Sequence, residues 1–141
     1  MTPTVLMNAL REHLAAHGLY VQDDAVRHVG DAVRLRLGDL EVTATADSFA
    51  WDGHHHPAEQ AGQVAELLAE AYEEYALRWL KSMCPGWDYR RDPDGFRALW
   101  LCELPQRLMD AGFRAEVAEK TLRAFVNAVR KQSYLAHING C

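Results

Sequence analysis

Three consecutive histidines, His54-His55-His56, interrupt the chain just after Asp52-Gly53 and just before Pro57-Ala58-Glu59. Imidazole nitrogens with carboxylates nearby suit a transition metal such as zinc. In an extended backbone alternate side chains share a side, so His54 and His56 would chelate one ion while Asp52, Asp47 or Glu59 supplied a carboxylate. The plainer alternative is a solvated loop in which one histidine helps to cap the following helix, because short histidine tracts are weak evidence for a metal site.

A second cluster, Trp87, Tyr89, Arg90 and Arg91, combines flat aromatic faces with forked guanidinium groups, the residue types that anchor partners at binding hot spots. Alternatively the aromatics tuck against helices while Arg90 and Arg91 pair with Asp88, Asp92 or Asp94. Single-stranded nucleic acid could stack on the same groups. A formal net charge of −5 disfavours that partner, since affinity for a phosphate backbone comes from Lys and Arg. Cys84, Cys102 and Cys141 lie far apart without a close-spaced pair, so free thiols are expected, with Cys102 in the core. No serine sits in a nucleophile elbow and no glycine-rich phosphate loop occurs, so hydrolase and nucleotide-binding chemistry find no positive support.

The elements that would carry these groups follow from periodicity. Val5, Leu6, Ala9, Leu10, His13 and Leu14 form a helical stripe ending at His17-Gly18. Gly38-Asp39 makes a two-residue type II′ turn, which sets Leu37 opposite Leu40, Leu35 opposite Val42 and Val33 opposite Ala44. Arg36 then meets Glu41 and Arg34 meets Thr43 on the wet face. Ala25 to Val29 reads as a strand joined through Gly30-Asp31, the alternative being a single helical turn after Asp23-Asp24. The shift of apolar positions from even (Val42, Ala44) to odd (Phe49, Trp51) calls for a bulge or bend near Asp47-Ser48.

Pro57 marks a helix start, and Val64, Leu68, Tyr72, Tyr75, Trp79 and Leu80 give an apolar stripe that stops at Pro85-Gly86. Tyr72 and Trp79 widen that stripe into a possible dimer or heteromer surface. Pro85 to Asp94 reads as a loop. Phe96, Leu99, Trp100, Leu104 and Leu108 read as a helix interrupted at Pro105, and Ala118, Leu122, Phe125, Val129 and Ala136 as a last one. The expected fold is α+β: an N-terminal helix, a three-stranded antiparallel meander covered by a long helix, then a C-terminal helical hairpin. It would form a single domain over 1–141, with a helix-sheet-helix core at 1–84 and a helical extension at 85–141 packed on it. The opening order is similar, as topology alone, to that of double-stranded RNA binding domains and small acidic secretion chaperones. An RNA reader would want a basic start to its second helix, which here carries histidines, proline and glutamate.

With 49% hydrophobic and 25% charged residues in 141, the chain has ordinary globular composition, without an apolar run able to span a bilayer or a secretory leader. These features together suggest a small cytoplasmic protein-binding module, such as an adaptor, chaperone-like, immunity or inhibitor protein. It would act by surface complementarity on a protein partner or a second copy, without catalysis or cofactor. The alternative is a metal-binding protein or metal-dependent enzyme centred on His54, His55 and His56.

Overall fold

Pro3, fixed in φ and lacking an N–H, occupies the first position of helix α1 (Pro3–Ala16), and Thr2 caps it by accepting from the Val5 amide at 3.2 Å. The computed structural model describes residues 2–140, so Cys141 lies outside the described residues. Among these residues the chain is α+β, with four α-helices and two antiparallel sheets of five and three strands. It divides into two compact units, residues 1–75 and 76–141.

In the first unit, β1 (Val26–Val29), β2 (Ala32–Leu37), β3 (Leu40–Ala44), β4 (Ser48–Trp51) and β5 (His54–Pro57) form a meander in chain order. The β2–β3 register is the expected one, from Leu37–Leu40 through Leu35–Val42 to Val33–Ala44. Gly38, with φ of +63°, takes the first turn position, which a side chain would strain. Val33, Leu35, Val42, Ala44 and Phe49 face inward and are covered by Leu6, Leu10 and Leu14 of α1 and by Val64 and Leu68 of α2 (Ala61–Met83). Each of the Val, Leu and Phe side chains among them contributes about 1.5–3 kcal/mol by leaving water.

Two corrections concern this sheet, which has five strands where three were expected. The bend near Asp47-Ser48 is a full chain reversal: the Thr45 amide donates to the Ser48 carbonyl at 2.9 Å, and Ala44 pairs with Phe49. A reversal shifts the apolar parity just as a bulge would. Asp52 and Gly53, with φ of 47° and 78°, then form a further two-residue turn that brings Trp51 opposite His54. Pro57 therefore ends β5 and does not open the helix. A 3₁₀ turn over Ala58–Gln60 intervenes, and α2 starts at Ala61. Strand β1 begins at Val26, after a 3₁₀ turn over Asp23–Ala25.

In the second unit, β6 (Trp87–Asp92), β7 (Gly95–Trp100) and β8 (Glu116–Glu119) form the three-stranded sheet, with α3 (Gln106–Asp110) between β7 and β8 and α4 (Leu122–Ile138) last. The helical hairpin expected here is replaced by a β-hairpin, a short helix, a strand and one long helix. Phe96 and Trp100, four apart, suit a helix and a strand equally, and buried Ala98 between them reveals the period of two. Pro93-Asp94 closes the hairpin between Asp92 and Gly95. Pro105 does mark a restart, as cap of α3, although no helix precedes it. Cys102 is exposed instead of core, because its segment is a loop. Ala118 lies on β8, and Thr121 caps α4 by accepting from the Ala124 amide at 3.2 Å. Leu80, Trp87, Phe96, Val117, Phe125 and Val129 build this unit's core.

Candidate functional site: a histidine strand and two charged sheet faces

The type I′ turn at Asp52-Gly53 folds the histidines into strand β5, which sets His54 and His56 on the helix-covered side with Trp51 and Phe49, and His55 on the outer side with Ala50. His54 and His56 thus share a face. Their rings lie nearly parallel, at 27°, with centroids 6.4 Å apart, and Trp51 sits 5.0 Å from His54. His56 Nδ1 is 3.2 Å from Gln60 Oε1, whereas its Nε2 and the Trp51 Nε1 are buried without a hydrogen-bond partner. Asp47 holds the Thr45 hydroxyl at 3.3 Å, and Asp52 and Glu59 are exposed. Among the described residues no three His, Cys, Asp or Glu side chains converge on a point where an ion would sit.

The Trp87 cluster is split by strand parity. Trp87 and Tyr89 turn inward: the Trp87 indole donates to the Ser133 hydroxyl at 3.0 Å, meets Trp100 edge to face and lies tilted beside Phe113. The Tyr89 hydroxyl donates to the Cys84 carbonyl at 2.7 Å, just past the end of α2, and lies 3.3 Å from the Leu80 carbonyl, which also accepts from the Cys84 amide. Burial, and secondarily Cys84, push the Tyr89 phenol above its ordinary value of 10.0. The unfolded chain therefore ionises first, so stability should fall as pH rises past 10 towards the folded value. Denaturation at pH 9 and pH 11 is expected to show a drop in the parent that Tyr89→Phe reduces, after an initial cost of about 1 kcal/mol for the lost hydrogen bond.

Arg90 points outward and pairs with Asp88 at 2.8 Å, opposite Arg97 on β7. Arg97 is held in turn by Asp92, at 2.9 Å, and by Glu116, whose hydrogen bonds and charges raise its pKa, Asp92 contributing most. Arg91 lies on the inner side with its guanidinium 4.2 Å above the Phe96 ring. Tyr72 is half-buried beside Tyr75, and Trp79 is half-buried with the Arg130 guanidinium 5.5 Å from its ring.

A third group is brought together only by the fold. On the outer face of the five-stranded sheet Arg27 stands directly opposite Arg34, and Arg36 follows two residues along the same strand. All three are exposed around a depression of about 480 Å³ that Asp24, Val29 and Glu41 help to line. Glu41 lies 3.5 Å from Arg34, and among the described residues Arg27 and Arg36 have no ion-pair partner. A signal for this was present: a two-residue turn at Gly30-Asp31 places residue 27 opposite residue 34 by arithmetic. A further depression, about 810 Å³ around Gly95, carries both signs of charge, with Asp92, Asp94 and Glu119 beside Arg97 and Lys120.

Comparison of the chain with protein-family models, with curated proteins and with solved structures finds no match. No helix among the described residues is long and apolar enough to cross a membrane.

Proposed function

We propose that this chain is a small cytoplasmic protein-binding module acting by surface complementarity without catalysis, in the manner of an adaptor, chaperone-like, immunity or inhibitor protein. The observation that supports it best is the bare outer face of the five-stranded sheet, where Arg27, Arg34 and Arg36 project to solvent from a rigid support. The strands fix the spacing from which these side chains project, and arginines are favoured anchors at protein interfaces. Cross-linking of the untagged protein in its native cells, followed by mass spectrometry, should return a stoichiometric protein partner. A turnover that survives purification and disappears with one side chain would sink this reading.

A second reading, metal binding, draws on His54 and His56 sharing a face beside the unpartnered nitrogens of His56 and Trp51. On that reading zinc titration by calorimetry should show His54→Ala/His56→Ala binding at least about tenfold more weakly than the parent, because two of the nitrogen ligands are removed. Equal affinities would remove the metal from consideration.

A further inference from the structure

Like charges directly opposite each other in a sheet are unfavourable. The chain contains two such arginine pairs, and it treats them differently. In the three-stranded sheet, Arg90 opposite Arg97 is neutralised by Asp88, Asp92 and Glu116. In the five-stranded sheet, Arg27 opposite Arg34 has only Glu41, which stands across from Arg36 but lies 3.5 Å from Arg34 and is shared among three positive charges. Asp24 lines the same depression without ion-pairing to any of the three. A chain with net charge −5 and 20 acidic residues thus leaves two guanidinium groups without an ion pair around one depression.

We propose that this face receives an acidic segment of another protein, whose carboxylates pair with Arg27 and Arg36. The proposal rests on the protein-binding reading and names the chemistry of the partner. Guanidinium forks match carboxylates geometrically, and both groups have all their donors available. Val29, 43% exposed beside Arg27, gives the segment an apolar rest. A nucleic acid would bring a dense row of phosphates against Glu41, Asp24 and the negative charge of the whole chain. A second copy fits less well. The chain's own exposed Glu66, Glu70 and Glu74 lie on the side of α2 turned away from the sheet, so copies would have to join unlike faces head to tail instead of forming the common two-fold dimer.

Fluorescence anisotropy with a labelled peptide of alternating Glu and Ala tests this, with the matching Gln-Ala peptide and an oligothymidylate of equal length as comparisons. The Glu peptide should bind the parent chain, more weakly as salt rises. Arg27→Gln/Arg36→Gln should lose at least about tenfold in affinity, while Arg123→Gln, at an exposed position of α4, loses nothing. Arg27→Lys/Arg36→Lys, which keeps charge without the fork, should recover part of the loss. The thermal midpoint of the Gln pair should hold steady or rise, since a repulsion has been relieved, as happens where function is kept at the expense of stability. Four results would overturn the proposal: undiminished Glu-peptide binding by the Gln pair, tighter binding of the oligothymidylate, no distinction between Glu and Gln peptides, or a sharp fall in midpoint marking the arginines as structural. Self-association of the parent lost in the Gln pair would assign the face to a second copy and also count against it. Any of these leaves the module reading standing on other surfaces, whereas a demonstrated turnover would remove that reading whatever the peptide does.

Discussion

Gly95→Ala is expected to lower stability by about 3 kcal/mol and the thermal midpoint by roughly 10 °C. Gly95 opens β7 and is buried, and a methyl group there would fall on the Glu119 carbonyl oxygen and within 3.0 Å of the Lys120 Cα. Both obstacles are backbone, so no side chain can swing aside. Relief would require β8 to move away from β7, breaking the Phe96–Glu119 end of their pairing and loosening the entry to α4. Gly112→Ala makes the useful comparison. Its φ of +86° strains any side chain, but nothing lies within 4 Å of the added carbon, so a cost of about 1–2 kcal/mol is expected. Urea unfolding followed by tryptophan fluorescence would rank the two, and equal costs would show that the strands yield more readily than their geometry implies.

Phe49→Ala should destabilise the chain by about 3–5 kcal/mol. Phe49 is fully buried on the inner face of β4, in one cluster with Leu35, Val42 and Leu68. Its removal takes away transfer energy and leaves a cavity between strand and helix layers that cannot collapse without bending a five-stranded sheet. Phe49→Leu, which refills much of that space, should cost about 1–1.5 kcal/mol. Denaturant midpoints measured with unchanged slopes would confirm both values. A loss below 1 kcal/mol for alanine would mean that water or a neighbouring side chain fills the gap.

Local rules carried the sequence reading as far as turns could be recognised. Gly38-Asp39 fixed one hairpin and with it five residue pairings, because a two-residue turn leaves no freedom of register. Asp52-Gly53 is an equally strong turn signal, but attention to the histidines as ligands hid their role as a strand, and two strands were lost from the expected sheet. In the second half Asp92-Pro93-Asp94-Gly95 announces a reversal, yet the four-residue spacing of Phe96 and Trp100 also fits a helix. Only the cross-strand partners Trp87 and Val117 settle the matter, and those contacts are distant in sequence. The same parity sends Trp87 and Tyr89 inward and leaves Arg90 outside. The arginine face was half legible: Arg34 and Arg36 alternate with Val33 and Leu35, whereas Arg27 joins them only through the pairing of β1 with β2.

Strand β5 forms one border of the five-stranded sheet, and it is only four residues long, with a proline at its end. Borders of this kind invite foreign chains to add themselves rung by rung, the route by which soluble proteins polymerise into fibrils. A rail this short, ending in a residue with no N–H to offer, gives an incoming strand little to zip onto. The histidine segment therefore acts as a stopper against runaway growth, whatever else its imidazoles do.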